Sequence, residues 1–474
     1  MSFLWIFYYF SFIPNGQTQS AFIPENTNEE YIYTLSECWS IAERLTPEIE
    51  AAELAVSDAI LAEEASKVNS LPRAEGQTQL GYQFGRSIDP TTNSFADQGI
   101  LFNSTGISAD WQLYAGGRLK AARRQAGHQR KAAQYDQTAT TQDLHLRVLT
   151  AYRQVLESSA TLTLQSQNIT NLRSRLSELN YLIETGVRRA NDRFELELSL
   201  ARAEQDSAFA QQQLLLSQLA LANVTGLDPE TPITATPPST KDWPSILQDN
   251  IGYNISTNNL PAIQANRARQ KAAQEEYQMT LATMRPSIAI FGQLNTNYSA
   301  AAQELAGLES VLVSQSVILD GQLAELAAQQ TVANYTNKPL LDQLNDNFNQ
   351  TIGVQVRIPI FDAGRNRVQR QRIQLQQRQL QVERRAIERN WQQDIAQFSQ
   401  SLAEARTAYQ LASQNYLLAK STLQKANEAY RSGGLSTSEL NRIQEEVQLA
   451  SLRVLRAKYT CYFSWQALLI LSGK

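Results

Sequence analysis

"IPIFDAGRNRVQ" at 358–369 runs from an alternating apolar segment into an Arg/Gln-rich one without a break. Upstream, "NFNQTIGVQVRIPI" (347–360) sets Ile352, Val354, Val356, Ile358 and Ile360 on one phase and Asn349, Thr351, Gln355 and Arg357 on the other. That period of two predicts a two-faced strand. Downstream, no Gly or Pro occurs from Arg365 to Ser432, and apolar or aromatic residues recur every seventh position at Ile395, Leu402, Tyr409, Tyr416, Leu423 and Tyr430. A sustained seven-residue repeat predicts helices packed side by side. At 1.5 Å per residue the run would reach roughly 100 Å, longer than a compact domain can use.

The junction occurs twice. "QLYAGGRLKAAR" (112–123) places Gly117 an offset of 247 before Gly364, and the same offset relates Gly186 to Gly433 and Gly226 to Gly473. It also carries a first ladder, Val148, Val155, Leu162, Ile169, Leu176 and Ile183, onto the second. Ahead of the strands the offset is 214, aligning "LTPEIEAAE" (45–53) with "NLPAIQANR" (259–267) and Pro72 with Pro286. The chain is therefore two copies of one unit, 45–227 and 259–473, joined by the linker 228–258. Its "DPETPITATPPSTKDWP" (228–244) is too rich in Pro for a helix or a central strand.

Each copy reads as a strand pair followed by a helical hairpin. In the first, "AEGQTQLGYQFG" (74–85) opposes Thr78, Leu80, Tyr82 and Phe84 to Gln77, Gln79 and Gln83. Its partner "ISADWQLY" (107–114) opposes Ile107, Ala109, Trp111 and Leu113 to Ser108, Asp110 and Gln112. "SIAIFGQLNTNYS" (287–299) is the counterpart in the second copy, and the hairpins turn at Gly186 and Gly433–Gly434 before return helices at 190–225 and 436–471. The second copy holds 33 extra residues between its strands, 302–334. Leu305, Leu308, Leu312, Leu319, Leu323 and Leu326 stand there at helical spacing, which predicts a helical excursion at the end remote from the hairpins.

Two-faced strands suit a half-buried soluble sheet or an outer membrane with apolar residues in lipid and polar ones in a lumen. Tyr82, Phe84, Trp111, Tyr114, Phe291, Tyr298, Phe348 and Phe361 suit aromatic girdles, and "FLWIFYYFSFI" (3–13) reads as the apolar part of a signal peptide within 1–20, without a preceding Lys or Arg. Four strands are too few to close a barrel, and open edges in lipid are prohibitive, so several chains must share one. Arg357 and Asp110, on the polar phase, then face its lumen. A non-membrane coiled-coil scaffold with an ordinary sheet is the alternative.

Other classes find little support. The net charge of −4, evenly mixed, lacks the basic stripe of a nucleic-acid surface. His128 and His145 lie 17 residues apart without companion ligands, so no metal site is expected. No phosphate loop, nucleophile elbow or carboxylate pair points to an enzyme or a cofactor. Cys38 and Cys461, at opposite ends of the chain, are expected to be unpaired, and Cys38 lacks the small residues that precede a lipidated cysteine.

"YTLSECWSIAERLTPEIEAAEL" (33–54), "NQTIGVQVRIPIFDAGRNR" (349–367) and "AYRSGGLSTSEL" (429–440), in that order and spacing, resemble the TolC-like outer-membrane efflux proteins across 34–473. The resemblance implies an α+β membrane protein of two tandem repeats in the Gram-negative outer membrane. It implies a homotrimer with a shared twelve-stranded barrel and a periplasmic α-helical tunnel. The partners implied are a periplasmic adaptor (membrane fusion protein) and an inner-membrane pump, in tripartite efflux or type I secretion. Tyr430, Gly433 and Glu439 match the family's second-turn pattern, while Arg442 stands at its second acidic position and Leu435 where a locking arginine is expected. Gly186, Val187 and Asp192 match the first turn more loosely. By resemblance, Tyr430, Glu439, Arg442 and Asp192 line the periplasmic entrance, and Gly186, Val187, Gly433, Gly434 and Leu435 contact the adaptor. From the residues alone, Tyr430 is also the last rung of its ladder, and Glu439 and Asp192 also suit helix N-termini.

Overall fold

The computed structural model describes residues 31–85, 87–88, 95–96, 99–230, 233–238, 246, 257–319 and 322–472. The expected signal peptide, 1–20, and most of the linker 228–258 lie outside the described residues. In chain order the elements are β1 (Tyr31–Tyr33), α1 (Leu35–Leu45), α2 (Pro47–Val68), β2 (Arg73–Gln83), β3 (Ser87–Ile88), β4 (Phe95–Ala96), β5 (Ile100–Ala115), α3 (Arg118–Glu184) and α4 (Asn191–Thr225). There follow β6 (Ile233–Ala235), α5 (Pro261–Ala282), β7 (Ser287–Ser299), β8 (Gln303–Leu319), β9 (Gln322–Asn337), α6 (Leu340–Asp346), β10 (Asn349–Arg357), α7 (Arg365–Arg431) and α8 (Thr437–Ser472).

The duplication is built into the helices. α2 and α5 both span 22 residues and both open on a proline, whose fixed φ suits a first turn. α3 and α7 both span 67 residues and both start after a glycine at positive φ, Gly117 at +94° and Gly364 at +80°. Near the sheet, α2 packs on α3, α3 on α5 and α5 on α7; farther out, α4 joins α3 and α8 joins α7. A row of this kind has two open sides. Leu54, Leu61 and Val68 of α2 are exposed at seven-residue intervals, and so are Val368, Leu375 and Val382 of α7. Among the described residues no helix is long and apolar enough to cross a membrane.

The main core sits at the waist. Leu144, Val148, Tyr152, Val155 and Leu156 of α3 pack there with Phe463 and Ala467 of α8 and with Cys38 and Ala42 of α1. The Tyr152 hydroxyl lies 2.9 Å from the Tyr33 carbonyl and 2.7 Å from that of Thr236, so it fastens the parallel pair β1–β6 to the helices. His145 stacks on Trp39 and meets the Glu43 carboxylate at 2.6 Å, an interhelical contact. Cys38 and Cys461 are both buried and free, and burial pushes the Cys38 thiol up to about 12.

β2, β5, β7 and β10 form one antiparallel sheet in the order β10–β7–β5–β2. Two details differ from the alternation read above. The register between β5 and β7 slips after Gln112, so Leu113 has no partner and Tyr114 pairs with Ile288 on the apolar phase. β10 stops at Arg357, two residues before Pro359, which has no N–H to give a ladder.

The insertion overturns its expectation. The described residues of 302–334 are not helical; 303–319 and 322–334 form most of the β8–β9 hairpin. The register steps from Leu305↔Tyr335 to Gly307↔Asn334, leaving Ala306 as a bulge. Leu305 and Leu308 thus share a face with Leu312 although three and four residues separate them. Helical spacing here is a bulged strand, and Val311, Val313, Val317, Ile318 and Val332 supply the β-branched residues that favour it.

Both strand-to-helix junctions rest on the end of α5. Arg285 donates from Nη1 to the Gly116 carbonyl at 3.1 Å, while Asn366 donates to the Thr283 hydroxyl at 2.9 Å and to the Thr280 carbonyl. A Cβ on Gly116 would lie 2.5 Å from the Ala282 carbonyl oxygen, whereas nothing lies within 4 Å of one on Gly364. Gly116→Ala and Gly364→Ala share the cost of a left-handed backbone, about 1–2 kcal/mol. Only the first adds a backbone clash. Thermal unfolding is expected to show Gly116→Ala well below Gly364→Ala in Tm; equal shifts would show that the junction gives way freely.

Candidate channel wall and periplasmic tip

Cross-strand pairing sorts the sheet into two surfaces. Arg73 pairs with Asp110, Asp110 with Phe291, and Phe291 with Gly353, so these share one face. Gln77, Gln79, Ser104, Gly106, Ser108, Gln293 and Asn295 line a hollow on that same face. Arg357, two pairs on from Gln355 and Gly353 in alternation, projects there too. The opposite face carries Leu80, Ile107, Leu294, Ile352, Val354 and Val356, all exposed, with Ile352 at 85%. The aromatics Tyr82, Trp111 and Tyr114 are exposed beside them. An exposed apolar sheet face of this extent is not tolerable in water.

On the polar face two glycines lie beneath side chains of the adjacent strand. The Phe291 ring lies over Gly353, so that a Cβ there would come within 2.6 Å of it; Asn295 lies over Gly106 in the same way, at 2.2 Å. Gly106 and Gly353 are equivalent at the 247 offset. Both copies therefore clear the same position for a neighbouring strand's side chain.

At the far end the two hairpins turn at Gly186 (φ +76°) and Gly433 (φ +78°). Val187 is exposed at the first turn, and Gly434 N–H closes the second by donating to the Ala429 carbonyl at 2.8 Å. Glu439 folds back on Ser436, accepting from its hydroxyl at 2.8 Å and its amide at 3.2 Å, while the Glu439 amide donates to the Ser436 hydroxyl. This capping box holds the Glu439 carboxyl below its ordinary range, with nearby Arg442 adding to the effect. Asp192 sits in the first turn of α4. Tyr430 and Leu435 come together, whereas Asp192, Glu439 and Arg442 stay on the starts of α4 and α8.

Two arginines absent from the sequence reading join the hairpins. Arg188, on the first turn, lies 4.4 Å above the Tyr430 ring. Its Nη2 donates to the Tyr430 carbonyl at 2.9 Å and to the Leu435 carbonyl at 3.3 Å. A guanidinium does reach the second turn, but from the other hairpin. Farther in, Arg175 of α3 donates to Asn441 and Asn427, each at 3.3 Å, and burial lowers its pKa. The only trace of Arg188 in the sequence is the pair Arg188–Arg189 after Gly186–Val187.

Strand pairs with one polar and one apolar face, carrying two duplicated helical hairpins of this length, constitute the fold of outer-membrane channels. The crystal structure of the outer membrane protein VceC from Vibrio cholerae matches at TM-score 0.70 and 15% identity, over 93% of this chain and 96% of that one. The Campylobacter jejuni CmeC outer membrane channel matches at TM-score 0.72 and 13% identity, over 93% and 85%. The open state of the Neisseria gonorrhoeae MtrE outer membrane channel matches at 0.66 and 17%, over 93% and 88%. In sequence, residues 40–227 match the family described as outer membrane efflux protein. A search of curated proteins by sequence finds no match.

Proposed function

We propose that three copies of this chain form an outer-membrane channel that passes substrates from a periplasmic adaptor and an inner-membrane pump to the exterior. One observation carries the reading: the open sides of the sheet and of the helical row coincide. The outer strands are β2 and β10, and the outer helices are α2, which leads into β2, and α7, which follows β10. A chain open on the same two sides at both levels is completed by copies of itself in a closed ring. Lipid around the apolar face forbids free strand edges, so the ring must close as a barrel. Three copies of a four-stranded sheet give twelve strands, and the exposed stripes of α2 and α7 then meet between neighbours.

In this reading Arg357 and Asp110 line the lumen. Tyr430, Glu439, Arg442 and Asp192 surround the periplasmic entrance, while Gly186, Val187, Gly433, Gly434 and Leu435 form the surfaces offered to the adaptor. Three Glu439 carboxylates converging there attract cations, and Arg442 offsets part of that charge. In planar bilayers Glu439→Gln is expected to reduce cation preference and Arg442→Ala to raise it; unchanged reversal potentials in both would leave Glu439 a capping acid only. Heat-resistant trimers in the outer-membrane fraction test the proposal as a whole. A soluble monomer or dimer would favour the coiled-coil scaffold instead.

A further inference from the structure

The β8–β9 hairpin stands apart from the barrel sheet. Its strands pair with each other in a separate two-stranded sheet, over a register about 50 Å long at ~3.4 Å per pair. The base is firmly set. Ser299, Ala302 and Gln343 are buried; Gln343 accepts from the Ser299 amide at 2.9 Å and donates to the Lys338 carbonyl at 2.8 Å. The Lys338 amide in turn donates to the Ala302 carbonyl at 2.9 Å. The ribbon therefore leaves β7 in a fixed direction.

Its two faces differ in chemistry. The bulge at Ala306 collects Leu305, Leu308, Leu312 and Tyr335 on one face, at 55%, 69%, 70% and 63% exposure. Glu304 and Glu309 project from the other, where Glu309 accepts from the Asn334 amide group at 2.8 Å. An isolated two-stranded ribbon is marginal in water, and an uncovered apolar face with two free edges invites pairing. In the first repeat the described residues of the corresponding connection carry the short β3–β4 pair.

We infer that the Leu305–Leu308–Leu312–Tyr335 face packs against the same face of the ribbons from two other protomers, forming a three-ribbon stalk on the axis above the barrel mouth. This rests on the trimer proposed above. Twelve strands ~4.8 Å apart and tilted ~40° enclose a barrel about 24 Å across, so each ribbon starts about 12 Å from the axis. The ribbon is about four times longer than that gap. Threefold symmetry brings the same stripe to the same height in each copy, with Glu304 and Glu309 on the outside; the register places Glu325, opposite Ser316, on the meeting face farther out than Leu312. Residues 302–337 contain no Lys or Arg, which disfavours an anionic surface such as lipid headgroups as the occupant.

Cysteine crosslinking in the purified full-length protein tests this. Leu312→Cys is expected to give disulfide-linked dimer bands from complexes that elute as trimers, two of every three chains reacting because a threefold axis leaves one unpaired. Glu309→Cys, on the opposite face, is expected to give none and to be alkylated faster in intact cells. Trimers in which Leu312→Cys fails to crosslink and is alkylated as fast as Glu309→Cys would overturn the stalk while leaving the channel reading intact. Crosslinking only in species of twice the trimer mass would also overturn it, placing the contact between channels. Monomers on size exclusion would remove both the trimer and the stalk.

Discussion

Arg188→Ala is expected to shift the periplasmic tip towards an open state and to raise single-channel conductance. The guanidinium is the bridge from the first turn to the second, through the Tyr430 ring and the carbonyls of Tyr430 and Leu435. Hydrogen bonds from a half-buried cation, with a cation–π contact, contribute about 2 kcal/mol in each protomer. That is a factor of about 30 in the open-to-closed ratio of each. Arg175 keeps the hairpins joined farther in through Asn427 and Asn441, so the change should stay local to the tip. Arg189→Ala, one position on, serves as the control and is expected to retain parental conductance. Equal conductance in Arg188→Ala and the parent would show that the clasp holds nothing closed.

Val354→Arg should be the more damaging change to assembly. Val354 is exposed on the apolar face of β10, and a cation there meets lipid at a cost of roughly 2–4 kcal/mol at the midplane. Three copies make that roughly 6–12 kcal/mol per trimer. Loss of the heat-resistant oligomer from the outer-membrane fraction is the expected result. Gln355→Arg, on the adjacent polar phase, is expected to assemble normally. Normal assembly of Val354→Arg with failure of Gln355→Arg would exchange the two faces.

Long-period signals made much of this architecture legible in the sequence. Gly117 and Gly364 mark the starts of α3 and α7 because a residue at positive φ punctuates the chain there, and the seven-residue ladders between those glycines and the hairpin turns admit no other element. Alternation found the four strands of the main sheet because each has two chemically distinct faces. It failed where a bulge broke the phase. Leu113 is skipped in the ladder, and Ala306 turns a strand stripe into apparent helical spacing.

The tip was legible only in part. Gly186, Gly433 and Tyr430 are marked by turn chemistry and by the ladder, which are local. Arg188 meets Tyr430 across 242 residues and Arg175 meets Asn441 across 266, contacts set by how the two hairpins lie together. No local pattern announces them. Glu439 suits a helix N-terminus in the sequence; its capping box with Ser436 is what the structure adds, and it accounts for the position of Glu439 on α8.

Three copies of the polar sheet face are expected to enclose a conducting lumen. Single-channel recording of Arg357→Cys in planar lipid bilayers, with a charged thiol reagent added, tests it most directly. Arg357 lies at the end of β10 on the polar face, and the native cysteines are buried. The expected result is a measurable channel whose current falls in up to three discrete steps, one for each protomer, while Val356→Cys on the apolar face is unaffected. Absence of a channel, or a current that responds at Val356→Cys and not at Arg357→Cys, would contradict it.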